Sequence, residues 1–143
     1  MQSATRPRLL LVAPMVPDAN GVGLSMRLSV FADALARLGE VDTIVVPVFD
    51  ADAILQQARE RGVAAIDTRG RQDTLFSLLA RISDPDERLR QFLAYGRGSR
   101  HAVISSSVVA ELRARLDGRA YALAHFGRLY LADAVAALPP GVL

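Results

Sequence analysis

The chain has 143 residues, 51% of them apolar and 22% charged, and a formal net charge of +2. One α/β-sized domain with a real core fits that length and composition. The residue inventory excludes several chemistries. Cysteine is absent, which removes disulfides, thiolate catalysis and cysteine-ligated zinc. All 17 basic residues are arginine, so neither a Walker-type phosphate loop nor a lysine Schiff base can form. With two histidines, His101 and His125, a three-histidine metal site is impossible within the chain. The arginines are scattered and interleaved with acids, which argues against a nucleic-acid stripe.

Leu9–Ala13 is a continuous apolar run, the pattern of a strand buried on both faces. It is too short for a membrane span or a signal peptide, and the expectation is a cytoplasmic protein. Residues 14–23 hold two prolines and two glycines and read as a loop. Leu24, Leu28, Phe31, Leu35 and Leu38 then follow at steps of four, three, four and three, one apolar stripe on a helix that Gly39 stops. Val41–Phe49 reads as a second strand. Asp50 or Asp52 is placed to cap a helix carrying Ile54, Leu55 and Ala58, which Gly62 ends. Val63–Ile66 reads as a short third strand.

The middle is more helical. Leu75–Ile82 predicts one short helix. Asp84-Pro85-Asp86-Glu87 predicts another, with a cap, a proline at the first position and early acids. Leu89, Phe92 and Leu93 give its apolar side, and Gly96 breaks it. Ser105–Ser107 caps a further helix bearing Val108, Val109, Leu112 and Leu116, which Gly118 ends. Tyr121–Phe126 reads as a fourth strand, and Arg128–Leu138 as a helix with Leu129, Ala132, Val135 and Ala136 inward. After the turn Pro139-Pro140-Gly141, Val142-Leu143 reads as the start of another strand.

Alternating strands and helices predict a Rossmann-like, three-layer α/β/α domain with a mostly parallel sheet and right-handed crossovers. In the order 3-2-1-4, ligands bind at the carboxyl ends of strands one and four. That places Asn20, Gly21 and Gly23 opposite His125 and Arg128. The glycines permit positive φ and close approach of a ligand to the backbone. The helix start beyond them suits an anion such as a diphosphate, and Arg27 sits just inside it. His125 is a candidate acid, base or hydroxyl partner, and Arg128 a candidate anion contact. Asp18 fits turn chemistry, and His101 a structural or exposed position.

The segment Leu9-Leu10-Leu11-Val12-Ala13-Pro14…Pro17…Gly21-Val22-Gly23-Leu24-Ser25-Met26-Arg27 resembles the opening of retaining, nucleotide-sugar-dependent glycosyltransferases of the GT-B architecture, the group 1 enzymes. Ala36-Arg37-Leu38-Gly39-Glu40-Val41 is similar to the family's Leu-Gly helix ending. Tyr121–Arg128 is similar to a later strand that carries a histidine near its end, with Gly127 where some relatives have a second histidine. The resemblance covers the first fifty residues and the last twenty-five, and the middle carries no signature. It implies an acceptor-side amino-terminal domain spanning 1–143, cut before its next strand, with a carboxyl-terminal donor-binding domain absent and the fragment inactive alone. It implies a nucleotide-sugar donor as substrate, a saccharide or lipid-linked acceptor, no metal or other cofactor, and peripheral membrane association of the whole enzyme. Two alternatives stay open. A dinucleotide-binding oxidoreductase domain would use Gly21, Gly23 and Asp50, although Met26 stands in the place of the third glycine. A non-catalytic α/β interaction domain is the other.

Overall fold

The structure is a computed structural model and describes residues 6–71, 79, 81–95 and 104–143. In chain order it contains β1 (Arg8–Ala13), α1 (Gly23–Leu38), β2 (Glu40–Val45), α2 (Ala51–Glu60), β3 (Ala64–Ala65), α3 (Pro85–Tyr95), α4 (Ser106–Leu116), β4 (Leu123–Phe126) and a 3₁₀ segment (Leu129–Ala137). His101, Gly96 and most of the helix expected over Leu75–Ile82 lie outside the described residues.

The sheet is parallel throughout, with the order β3-β2-β1-β4. Central β1 is buried from Leu9 to Ala13, as a two-sided strand must be. Its side chains alternate between two layers. Leu9, Leu11 and Ala13 pack on Leu28 and Leu35 of α1, while Val45 of β2 packs on Ile54 and Ala58 of α2. Leu10 and Val12 face the other way, onto Val108, Leu112 and Leu116 of α4 and Leu131, Ala134 and Ala137 of the 3₁₀ segment. This is the expected Rossmann-like three-layer arrangement.

Local signals explain most element ends. Ser105 accepts from the Val108 N–H at the start of α4. Asp84 does the same for Asp86 at the start of α3, by a 2.9 Å bond. Gly62, at φ +65°, ends α2 in a left-handed turn in which the Val63 N–H reaches back to the Ala58 carbonyl.

Four expectations are corrected. Strand β2 ends at Val45, because Pro47 cannot donate to a ladder; Val46 and Val48 stay buried in a loop. On α1, Leu28 and Leu35 are buried, but Phe31 and Leu38 are exposed, since the layer beneath ends at the narrow edge strand β4. The apolar residues of α3, Leu89, Phe92 and Leu93, are exposed rather than buried. The last helix is 3₁₀, not α. Its inward residues are Leu131, Ala134 and Ala137, three apart as a three-residue turn requires, and Leu129 is 79% exposed. Pro139 has no N–H for an i→i−4 bond, and the segment closes with Leu138 N–H to the Val135 carbonyl.

Candidate functional site

The loop after β1 is held from within by Asp18. Its carboxylate accepts from the Asn20 N–H at 2.9 Å, and its carbonyl from the Gly21 N–H at 3.2 Å. That is Asx-turn chemistry, as the residue type suggested. The Asp18 N–H in turn donates to the carbonyl of Ser25, and the Ser25 hydroxyl donates to the carbonyl of Val22. From outside, Arg61 at the end of α2 donates to the second carboxylate oxygen of Asp18 at 2.5 Å. No local pattern in the chain announces this pair, whose members lie 43 residues apart.

The two glycines differ. Neither adopts positive φ. A Cβ on Gly21 would overlap the buried Ser25 hydroxyl and crowd Asp18, so tight closure of the loop favours glycine there. A Cβ on Gly23 meets nothing within 4 Å. Gly23 is the first residue of α1, whose N-cap is Val22, with no capping side chain and no acid in the first turn. The first N–H groups of this 16-residue helix therefore have no side-chain cap and no acid in the first turn beside their partial positive charge. Arg27 is exposed just beyond, without an ion pair to a described residue, and Asn20 is exposed on the loop.

The carboxyl end of β4 closes against this loop. The Gly127 N–H donates to the Val12 carbonyl at 2.8 Å. A Cβ on Gly127 would overlap the buried Leu28 side chain and touch Pro14, so a side chain there requires Leu28 to shift. Arg128 follows as the exposed residue preceding the 3₁₀ segment, its carbonyl accepting from the Leu131 N–H.

His125 is placed differently from the rest. It is in register with Leu11, so it points to the α1 face, and its ring stacks on Phe31 with centroids 4.4 Å apart and planes at 27°. Phe31 lies eight residues beyond Gly23, about 12 Å along the helix axis. Partial burial pushes the imidazole below its usual range and favours the neutral form. Loop, helix start, Gly127 and Arg128 thus share the carboxyl end of the sheet, while His125 packs lower on its flank. Asp50, the acid of the dinucleotide alternative, lies five residues past β2 as the N-cap of α2. Its backbone is left-handed at φ 43°, and its side chain makes no capping bond.

At the opposite end of the sheet, side chains cluster on Asp42. Its carboxylate accepts from the Tyr121 hydroxyl at 2.7 Å and from Arg119 at 3.2 Å, with Arg8 at 3.8 Å. Burial, with Asp42 beside it, pushes the Tyr121 phenol above its usual range. On α4, Glu111 pairs with Arg71 and Arg115, and the bond from Arg71, which also reaches Ser107 in the first turn of α4, chiefly holds its carboxyl below the usual range. Among the described residues, no cluster of three or more histidine, aspartate or glutamate side chains is grouped to hold a metal ion, and no helix is long and apolar enough to cross a membrane. Comparison of the chain with protein-family models, with curated proteins and with solved structures finds no match.

Proposed function

We propose that this chain forms the acceptor-side half of a nucleotide-sugar-dependent glycosyltransferase, in which Asn20–Gly23 and the start of α1 face the donor's diphosphate and sugar. The observation that carries this reading is Gly23. Packing does not demand glycine there, and backbone strain does not either. Close approach of a ligand to the backbone does. The uncapped helix end and Arg27 supply positive charge for a diphosphate without a bound cation. Asn20 on the loop and Arg128 after β4, both exposed, are the donors this reading assigns to sugar hydroxyls or phosphate. His125, stacked on Phe31, takes a positioning role toward α1 in this reading rather than proton transfer.

The loop spacing favours this reading over a dinucleotide site. Residues 14–22 separate β1 from the helix, whereas a dinucleotide fingerprint follows its strand at once. The acceptor in this reading is a saccharide or a lipid-linked sugar, the latter bringing the enzyme to a membrane surface. A second α/β unit grips the nucleotide.

The test is an amide chemical-shift titration of the ¹⁵N-labelled chain with UDP-glucose, GDP-mannose and NAD. The expected result is a shift of the Gly21, Gly23 and Ser25 amides with the nucleotide sugars, abolished by Gly23→Ala. Shifts with NAD alone, or none at these amides with either sugar nucleotide, would sink the proposal.

A further inference from the structure

The glycine loop is tied to α2 by a long-range side-chain bond. Within the loop, the Asp18 N–H donates to the Ser25 carbonyl at 3.1 Å, its carbonyl accepts from Gly21, and one carboxylate oxygen accepts from Asn20. These bonds close a turn between the loop and the start of α1. They do not fix that turn against the rest of the molecule. Contacts with α2 do. Buried Val16 packs on Val45, Ile54 and Ala58, and the Arg61 guanidinium meets the second carboxylate oxygen of Asp18.

Arg61 has a fixed base. Its N–H donates to the Gln57 carbonyl at 3.1 Å, and Ile54 and Ala58 anchor the helix before it against Val45 of the sheet. Its reach therefore helps to set where Asp18 sits. Asp18 in turn lies against Gly21, where an added Cβ would come within 3.2 Å of the Asp18 Cβ. The Asp18 side chain is 12% exposed and that of Arg61 47%. A half-exposed guanidinium is screened by water, so the pair adds little to global stability. Its effect is local. Without Arg61 a largely covered carboxylate loses its charge partner, and turning toward water breaks its bond to the Asn20 N–H.

We propose that Arg61 is a positioning residue: through Asp18 it holds Asn20–Gly23 in the conformation that presents the start of α1 to an anionic ligand. The inference rests on the reading of this loop as a sugar-nucleotide site. Arg61 does not touch the ligand in this account. It raises the fraction of molecules whose loop is competent, and apparent affinity scales with that fraction. A merely structural pair would loosen the whole fold when broken. A direct ligand contact would weaken binding without moving the free loop.

Amide hydrogen exchange, followed by NMR on the ligand-free ¹⁵N-labelled chain, tests this with Arg61→Gln, Arg61→Lys and Asp18→Asn. For Arg61→Gln the expected result is exchange about fivefold faster at Asn20 and Gly21, unchanged exchange at Leu11 and Val12 of β1, and UDP-glucose bound about fivefold more weakly. Arg61→Lys recovers part of both losses. In the Asp18→Asn background, Arg61→Gln adds less than it does in the parent, because the two residues act as a pair. Unaltered loop exchange in Arg61→Gln would overturn the proposal. Equal acceleration at Leu11 and Val12 would do so too, as would faster loop exchange with unchanged affinity. Failure of the parent to bind UDP-glucose defeats the reading of the site instead, and exchange in the free chain still decides whether Arg61 holds the loop.

Discussion

The two ends of the sheet are built from different materials. At the carboxyl end the chemistry is main chain: a glycine loop, an uncapped helix start and a glycine packed against Leu28. At the amino end it is side chain: Asp42 gathers Tyr121, Arg119 and Arg8. In a parallel sheet with following helices, helix starts, with their positive dipole ends, collect at the carboxyl edge. That end offers a field and helix-start N–H groups beside the exposed Arg27. The other end receives helix carboxyl termini, where arginines are favoured and must find their own acids. In the proposed reading, the carboxyl end takes an anion that approaches the backbone closely. The other end keeps its charges in ion pairs around Asp42.

Substitutions at the two ends can break this contrast. The largest effect is expected at the amino end for Gly39→Ala. Its Cβ would overlap the carbonyl oxygen of Pro7, a backbone atom that the adjoining sheet holds in place, and a loss of about 2–3 kcal/mol by urea denaturation follows. A melt within error of the parent would show that this end is softer than described. Next is Tyr121→Phe, which takes one donor from a half-buried carboxylate that keeps Arg119 and Arg8. The expected cost is about 1 kcal/mol, and an unchanged midpoint would mean that Asp42 draws its support from solvent.

A smaller, pH-dependent effect is expected from His125. Partial burial lowers its pKa in the fold, so the unfolded chain binds the extra proton first as pH falls through the ordinary imidazole value of 6.5. Its contribution is complete above that pH and is lost progressively until pH has passed below the depressed folded-state value. Melting temperatures at pH 7.5 and 5.5 should therefore differ more for the parent than for His125→Phe. An equal difference would remove His125 from the account. The smallest effect on stability is expected for Gly23→Ala, a gain of about 0.5 kcal/mol, because helical backbone with open space accepts a methyl and the unfolded chain loses freedom. A destabilised Gly23→Ala would show that packing, not a ligand, requires the glycine. That outcome would erase the difference between Gly21 and Gly23.

Much of the architecture was legible. Leu9–Ala13 is apolar without alternation because both of its faces are covered. Its burial, with the strand–helix alternation, leads to the order β3-β2-β1-β4. Caps and stops written in single residues, such as Asp84-Pro85 and Gly62, were legible because their bonds are local. The candidate site was legible as a place rather than as a geometry. Residue types located the loop, and Asp18 announced its own turn. Long-range partners were not legible: Arg61 for Asp18, Phe31 for His125, and Tyr121 with Arg119 for Asp42. One arginine among 17 carries no mark of which acid it will meet.

By itself, then, the chain's order of apolar runs, turn residues and glycines determined the fold class, the strand order and the end of the sheet at which the glycine loop lies. These are properties of periodicity and local backbone preference, which act between near neighbours. Only the tertiary structure decided that Gly21 is bound by packing while Gly23 is not, and that His125 packs on Phe31 rather than lining the loop. It also decided that the last segment turns in threes and that β3 pairs with β2 over two residues. Those outcomes depend on which surfaces meet across the sheet, and contact between residues far apart in the chain is settled by packing rather than by any local pattern.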